Sequence, residues 1–303
     1  MKVANSKAVY CGIDVSKTSF DGHFQGHSFK FKNGYQGYRK LIAIIKGKAA
    51  HCVMEATGPY YLGLAVYLYQ QGVKVSVVNP LVIKRFSQMR MVRAKTDKAD
   101  AKLITLYAEK ELPKLWSPPN PVLLEIAQLQ TTMDLLDKQD RMLKNQLESV
   151  IVQPFQSKEA VNALKLFIKK LEDKIQQLEQ HLLQKAEQHF SNQLALITSI
   201  PGIGLKTGIT LLVITNGFTK FGNSKQLASY IGISPRIYQS GTSVKGKGHI
   251  TKMGSNRLRS MLYVASWSAI QYNKACHDMY HRLIQNGKAK KLALIAVTNK
   301  LVK

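Results

Sequence analysis

Two long stripes of apolar residues in the middle of the sequence constrain the fold more than any other feature. Apolar side chains recur at spacings of three and four residues on both sides of Pro154, first at Ile126, Leu129, Met133, Leu136, Leu143, Leu147 and Val150, and then at Val161, Leu164, Ile168, Leu171, Ile175, Leu178 and Leu182. This spacing is typical of coiled-coil helices. It predicts two long helices that pair either as an antiparallel hairpin or across subunits of a homo-oligomer, a dimer or a tetramer.

The chain before these stripes has a different pattern. Short β-branched or alternating runs, typical of strands, lie at 9–15, 21–24, 28–31, 52–54 and 74–78. Helical apolar spacing separates the last three of these runs. Three strands followed by helix, strand, helix and strand predict an α/β layer with a largely parallel sheet.

Charge is distributed unevenly along the chain, whose net charge is +26. Residues 1–121 carry 19 basic and 7 acidic residues, residues 122–190 carry 9 and 10, and residues 191–303 carry 16 and 1. The last part, with Asp278 as its only acid, cannot neutralise its surface by internal ion pairs. Such an excess predicts a polyanionic partner, DNA or RNA.

Composition narrows the cellular setting. The three cysteines, Cys11, Cys52 and Cys276, lack metal-ligand spacing, and no apolar run approaches the ~20 residues that a membrane span needs. We therefore expect a cytoplasmic protein of a bacterium or archaeon without a membrane partner.

The segment ITSIPGIGLKTGITLL at 197–212 resembles a helix-hairpin-helix motif. In such a motif the turn at Gly202 and Gly204 lets backbone N–H groups approach a phosphate at a helix start. We predict phosphate contacts for both glycines and for Lys206, although an ordinary helix turn would also contain Gly and Pro.

Four acids in the basic N-terminal part occupy suggestive positions. Asp14 ends the first strand, Glu55 follows the run CVM, and Asp97 and Asp100 lie at i and i+3 on one helical face. Strand ends and a helix start can converge at one point, and clustered carboxylates are the ligands that Mg²⁺ or Mn²⁺ requires. Each acid alone could equally be a helix cap or a surface ion-pair partner.

The blocks GIDVSK, MEATGPY, VNP and KTDKADAKL resemble those of the RuvC-like DEDD transposases of the bacterial insertion-sequence family IS110. The later blocks SIPGIG, FGNSKQLASYIGISPR and YQSGTSVKGKGHITKMGSNRLRSMLY are similar to the second domain of that family. The resemblance implies an RNase H-like catalytic domain at 1–112, a linker and coiled coil at 113–190, and a basic transposase domain at 191–303.

The resemblance also implies a DNA recombinase in which Asp14, Glu55, Asp97 and Asp100 hold Mg²⁺ and Ser240 is the nucleophile. It further implies a guide RNA encoded by the mobile element. Nothing in the composition itself indicates that RNA.

Apart from the family resemblance, the composition of YQSGTSVKGKG indicates a flexible basic loop. The hydroxyl groups of Tyr238, Ser240, Thr242 and Ser243 are all chemically able to act as the nucleophile. A serine hydroxyl needs an activating base or metal, and the phosphate under attack needs cations nearby. We predict nucleic-acid contacts along this part of the chain at Arg236, Lys245, Lys247, Lys252, Arg257 and Arg259.

The sequence therefore predicts a DNA transposase that exchanges strands through a metal-assisted serine. Two alternatives stay open: a metal-only RuvC-like endonuclease in which water attacks the phosphate, and a non-catalytic architectural protein that only binds nucleic acid.

Overall fold

The computed structural model describes residues 9–91, 96–236, 239–240, 244–245 and 249–303. For 239–240 and 244–245 it describes the backbone alone. The contacts divide the chain into two compact units, Met1–Pro118 and Pro119–Lys303. We call them unit 1 and unit 2. The division into three parts stays a prediction.

Unit 1 is built on a five-stranded sheet. Its strands are β1 Val9–Val15, β2 Ser19–Phe24, β3 His27–Lys32, β4 Ala50–Glu55 and β5 Lys74–Val78. Their order is β3-β2-β1-β4-β5, so β1 lies at the centre. The first three strands pair antiparallel, as the predicted meander requires, whereas β1, β4 and β5 pair parallel. The sheet is thus mixed rather than largely parallel, because tight turns join the first three strands and helices join the rest.

Four helices cover the two faces of this sheet. They are α1 Tyr35–Ile45, α2 Tyr61–Gln70, α3 Pro80–Met89 and α4 Asp97–Glu111. One buried cluster joins α1 and α2 to the sheet through residues such as Ile13, Leu41 and Leu64. A second cluster packs α3 and α4 on the opposite face through residues such as Val53 and Ile104. Unit 1 is therefore an α/β sandwich whose central strand is buried on both faces.

Unit 2 begins with a long helical pair. Helix α5 spans Pro121–Ile151 and α6 spans Lys158–Thr198. Lys144 of α5 pairs with Glu172 of α6 at 2.7 Å, and Glu125 pairs with Lys185. The earlier residue of α5, Glu125, pairs with the later residue of α6, Lys185, so the two helices are antiparallel. The predicted stripes therefore lie on the two helices of a hairpin within one chain. At Phe190 the backbone leaves helical geometry, with φ −137° and ψ 26°, which divides α6 into a long arm and a short final segment.

The rest of unit 2 is mainly helical. It contains α7 Leu205–Thr215, α8 Ser224–Ile231, α9 Asn256–Tyr272, α10 Lys274–Gln285 and α11 Lys290–Val302. Two pairs of two-residue strands, β6 Pro235–Arg236 with β9 His249–Ile250 and β7 Gln239–Ser240 with β8 Val244–Lys245, interrupt the helices. A shared core of buried residues, including Leu194, Leu212, Ile231 and Leu262, joins the end of α6 to these helices. None of the helices in the described ranges has the length and hydropathy of a membrane span.

Candidate catalytic site

The end of β1 places Asp14 at the centre of unit 1. Alternate residues of a strand face opposite sides of the sheet, so Asp14 shares a face with Gly12, while Cys11 and Ile13 face the α1–α2 core. Gly12 lies against α4, because an added Cβ would overlap the carbonyl oxygen of Ala101 and the backbone of Thr105. Asp14 therefore lies on the α4 side of the sheet.

A buried hydroxyl fixes α4 on this face. Thr105 Oγ1 accepts a hydrogen bond from the Gly12 amide at 3.0 Å. The same hydroxyl lies 3.1 Å from the carbonyl oxygens of both Ala101 and His23, and its single proton is shared between them. Thr105 thus connects β1, β2 and the middle of α4, and it holds α4 on this face of the sheet.

The first turn of α4 carries Asp97 and Asp100. Thr96 caps the helix, since its side chain accepts a hydrogen bond from the Ala99 amide at 3.2 Å. Carboxylates are favourable in this position because the N-terminus of a helix has a partial positive charge. The cap and the dipole explain locally why two acids occur here, and the Thr105 contact explains why they lie over the sheet.

Glu55 reaches the same area from β4. This strand is parallel to β1, with Ile13 paired to Met54, so the carboxyl ends of both strands lie at one edge of the sheet. Glu55 also accepts a hydrogen bond from the Thr57 hydroxyl at 3.0 Å. The structure therefore brings together the four acids that the sequence singled out.

The negative charges of these acids act on one another. The pKa of Asp14 is raised from 3.8 to about 6, first by burial and then by repulsion from Asp100, Glu55, Asp97 and Asp21. Burial disfavours a charged carboxylate, and neighbouring negative charges disfavour it further. In the range that the structure describes, no three Asp, Glu, His or Cys side chains are close enough to hold a metal ion without rearrangement. The oxygen-only donor set nonetheless fits a hard divalent cation, whose charge would remove the repulsion.

The sequence did not indicate two further members of this group, Asp21 and Lys30. Asp21 lies directly opposite Asp14 in the β1–β2 pair, and Lys30 lies opposite Asp21 in the β2–β3 pair. Lys30 Nζ is 3.1 Å from Asp21 and 3.6 Å from Asp97. The sequence feature that could have indicated them is the pair Gln25-Gly26 between two strand-like runs. In the structure both residues have positive φ and form a two-residue turn, which sets the β2–β3 register. Five carboxylates and one lysine thus surround the end of β1.

The segment that carries Ser240 is described only in part. Ser240 belongs to β7 and pairs with Val244 of β8, while Lys245 pairs with Gln239. The side chains of Ser240 and Lys245 lie outside the description, and Lys247 and Tyr238 lie outside the described residues altogether. The role of Ser240 stays a prediction.

Three of the predicted nucleic-acid contacts have partners within unit 2. Lys206 pairs with Glu179 of α6 at 2.7 Å, and Arg257 pairs with Asp134 of α5 at 3.0 Å. Arg259 donates to the Ile231 carbonyl at 2.8 Å and so caps the end of α8. These contacts link helices of unit 2, while Lys206 stays exposed and Arg259 is half-buried.

The remaining predicted contacts differ in their surroundings. Gly202 has φ 104°, and an added Cβ there would overlap Ala269 of α9, so this glycine has a packing role. The space around Gly204 is open at the start of α7, and Arg236 and Lys252 are exposed. These three positions keep the accessibility that a phosphate contact requires.

Two protein-family models match the chain. The DEDD model for IS110 elements, described as "Transposase", matches residues 11–156, and the model described as "Transposase IS116/IS110/IS902 family" matches residues 194–281. The chain is 32% identical to the pilin gene-inverting protein of Moraxella bovis over 97% of this chain and 93% of that protein. It is 27% identical to the transposase for insertion sequence element IS1111A of Coxiella burnetii over 34% of this chain and 29% of that protein.

Proposed function

Since the chain belongs to the IS110 family of DNA transposases, we propose that it cuts and rejoins DNA through a Ser240 nucleophile assisted by a divalent metal ion. The observation that carries the proposal is the placement of Asp14 and Glu55 at the ends of two paired strands, with the acids of the first turn of α4 on the same side of the sheet. Such a cluster costs stability in a metal-free fold, and it is the arrangement that a metal-dependent phosphoryl-transfer site needs.

Unit 1 is proposed to be an RNase H-like domain of the RuvC type. Its sheet supports this assignment, because three antiparallel strands precede two parallel strands in the order β3-β2-β1-β4-β5. In this assignment 1–112 forms the catalytic domain, 113–190 the linker and coiled coil, and 191–303 the transposase domain.

Asp14, Glu55, Asp97 and Asp100 are the proposed metal ligands. A bound Mg²⁺ or Mn²⁺ would supply Lewis-acid stabilisation of the oxygens of the reacting phosphate. Asp14 and Glu55 would act from the ends of two paired strands, and Asp97 and Asp100 from the first turn of α4. Lys30, already bound to Asp21 and Asp97, would keep part of the negative charge neutralised.

Ser240 is proposed to attack the DNA phosphodiester. Its Oγ forms a bond to phosphorus while the bond from phosphorus to a deoxyribose oxygen breaks. The proton that leaves Ser240 Oγ as the new bond forms passes, through solvent, to the released deoxyribose oxygen, so the step balances. The cut strand is then held covalently, and attack by a second deoxyribose hydroxyl reverses these changes and rejoins the DNA. The basic side chains of 191–303 would neutralise the charge that develops on the phosphate.

The substrate is proposed to be the DNA ends of a mobile element together with its target. The relative in Moraxella bovis is named for inverting a gene, and inversion uses the same cut-and-rejoin chemistry between two sites on one molecule. An RNA encoded by the element is the proposed guide that selects these sites. The net charge of +15 in 191–303 supports a polyanionic partner, and the guide RNA itself rests on the family resemblance.

A homo-oligomer is the proposed functional form. Leu135 and Met142 on α5, one heptad apart, expose 56% and 63% of their surface, whereas Leu136 and Leu143 are half-buried. The half-buried residues fit the seam of the α5–α6 hairpin, and the exposed residues offer an apolar stripe to another copy.

The serine mechanism can be tested by trapping. The full-length protein, purified with its co-purifying RNA, is incubated with element-end DNA and Mg²⁺, and any protein–DNA adduct is digested and located by mass spectrometry. Ser240→Ala should abolish both the adduct and recombination while DNA affinity is retained. Ser243→Ala is the matched control, since it removes a hydroxyl three residues away, and it should retain the adduct.

The results separate the rival mechanisms. An adduct on Tyr238, or full cleavage by Ser240→Ala, would overturn the serine mechanism. Metal-dependent cleavage without any adduct would favour the endonuclease in which water attacks. Binding without cleavage in any metal would favour an architectural protein. Sequencing of the co-purified RNA tests the proposed guide.

A further inference from the structure

A cleft in unit 2 combines cationic and apolar side chains. It lies between β9, α9 and α11, has a volume of about 460 Å³, and is lined by residues that include Ile233, Ile250, Arg259, Tyr263, Lys291 and Ile295. Its size falls in the range of about 300–1,000 Å³ that holds small ligands. It can therefore accept a nucleotide-sized group but not a DNA duplex.

The charge of the cleft is of one sign. Among the described residues that line it, Arg259 and Lys291 are charged and none is acidic. A neighbouring cleft between α5, α6 and α9 also contains two cations, Lys206 and Arg257, but acids of the hairpin pair with both. The first cleft thus keeps its positive charge for a ligand, and the second does not.

Arg259 is held in place before any ligand binds. One terminal nitrogen donates to the Ile231 carbonyl at 2.8 Å, and the other donates to Asn256 Oδ1 at 3.3 Å. A guanidinium has five N–H donors, so these two bonds orient the group and leave donors for a phosphate.

Lys291 adds a second cation in an unusual place. It is exposed in the first turn of α11, a turn without any acidic residue. A cation at the N-terminus of a helix is repelled by the helix dipole, and a phosphate there would interact favourably with both. The cleft is therefore lined by two cations, Arg259 and Lys291, and the second lies in the first turn of a helix.

Apolar side chains make the cleft suitable for a base as well. Ile233, Ile250 and Ile295 line it, Tyr263 contributes an aromatic ring, and Val264, which also lines it, exposes 67% of its surface. Apolar and aromatic side chains stack on the faces of bases that are not held in a duplex. Phosphate-binding cations beside a base-sized apolar wall match a nucleotide.

The position of the cleft connects it to the reaction. Pro235 of β6 pairs with Ile250 of β9. These two strands lie immediately before and after the chain segment that carries Ser240, so the pair joins the two ends of that segment. Ile250 itself lines the cleft. Resting on the proposed function, we propose that the cleft binds one unpaired nucleotide of the DNA strand that Ser240 attacks, with its phosphate at Arg259 and Lys291.

A charge-matched pair of variants tests the proposal. Lys291→Gln removes a cation that lines the cleft, and Lys290→Gln removes the neighbouring cation of the same helix turn, which does not line it. The affinity of the full-length protein for a fluorescein-labelled single-stranded DNA of about 12 nucleotides is measured by anisotropy over a range of salt concentrations. Lys291→Gln should lower the slope of log affinity against log salt by the amount expected for the loss of about one phosphate contact. Lys290→Gln should change this slope much less.

A second measurement does not depend on charge. The same oligonucleotide containing 5-iododeoxyuridine is cross-linked by light, and the cross-linked peptide should contain Tyr263. Equal effects of Lys290→Gln and Lys291→Gln, or cross-links that all lie outside α9 and α11, would overturn the proposal.

The ligand controls separate the remaining cases. Displacement of the DNA by thymidine 5′-monophosphate at low concentration would instead assign the cleft to a free nucleotide. Cross-linking at Tyr263 by an RNA of the same sequence but not by the DNA would assign it to RNA. Wild-type protein that fails to bind any DNA would contradict the proposed function itself, which is a different outcome from equal behaviour of the two lysine variants.

Discussion

Removing the charge of Asp14 should stabilise the metal-free protein at neutral pH. The pKa of Asp14 is raised from 3.8 to about 6 in the fold, so the folded state binds a proton more tightly than the unfolded state. Stability from this group is complete below about pH 4 and is lost as pH rises through about 6. Asp14→Asn cannot ionise and escapes that loss.

The size of the effect follows from the shift. About two pKa units correspond to roughly 3 kcal/mol, and because Asp14 is only half-buried, solvent screening reduces this to about 1–2 kcal/mol. The stability of Asp14→Asn relative to wild type should rise by that amount between about pH 4 and pH 7. With a urea m-value of about 1–3 kcal/mol/M, the unfolding midpoint should move by about 0.3–2 M.

The chain allows unit 1 to be observed separately. Trp116 belongs to unit 1, where its ring meets Tyr69 edge-on at 6.2 Å, and Trp267, which is 52% exposed, is the tryptophan of unit 2. In a Trp267→Phe background, fluorescence during urea unfolding in EDTA reports on unit 1 alone. Glu111→Gln, which neutralises an exposed acid at the other end of α4, is the matched control and should follow the wild-type pH dependence.

A difference between Asp14→Asn and wild type that stays constant from about pH 4 to pH 7 would refute the reasoning, because it would show that burial and the neighbouring acids do not raise the pKa of Asp14. Added Mg²⁺ provides an independent arm. It should raise the unfolding midpoint of wild type and leave that of Asp14→Asn nearly unchanged, since a ligand stabilises only the state that binds it.

Three further outcomes are expected. Gly12→Ala should destabilise unit 1 by about 3 kcal/mol or more, since its methyl group would overlap the backbone of α4; an unfolding midpoint equal to wild type would contradict this close packing. Lys30→Met should lower the urea midpoint of metal-free unit 1 at pH 7, and the loss should disappear near about pH 3, where carboxylates are protonated; a loss that persists in acid would show that the lysine acts through packing. Replacing Leu135 and Met142 together by lysine should lower the oligomeric state in light scattering while helicity is retained. Leu136→Lys should instead reduce the stability of the hairpin. An unchanged oligomer in the double variant would show that subunits assemble through another surface.

Local sequence patterns were sufficient for most of the secondary structure. The run VYCGIDV predicted β1 at the residues where it is observed, because a β-branched run buried on both sides has few alternatives. The stripes around Pro154 predicted α5 and α6, and the structure resolves the open choice in favour of a hairpin within one chain. The two short strand pairs around Ser240 were not predicted, since two-residue strands leave no periodic signal.

The candidate site was predictable only in part. The sequence pointed to four acids, but it could not pair Asp21 with Asp14, because that contact depends on the register between two strands. Nor could it show that Lys206 and Arg257 meet acids of the hairpin, since those partners lie on helices far away in sequence. Strong positive charge in a segment predicts a polyanionic partner for the whole surface, and it does not identify which side chains remain accessible.

Because of the break at Phe190, the length of the hairpin can vary without changing how the end of α6 packs against the unit 2 core. The arm of α6 before Phe190 extends for about 50 Å, and each residue inserted into a helix lengthens it by about 1.5 Å and rotates its tip by about 100°. Insertions of seven residues in both helices nearly restore the original phase, whereas shorter insertions turn the apolar stripes away from each other. Because the helical path is interrupted at Phe190, such a change would leave the orientation of the following segment against the unit 2 core unaltered. Hairpins of related chains should therefore differ in length by about seven or about eleven residues in each helix, the lengths that nearly complete whole turns.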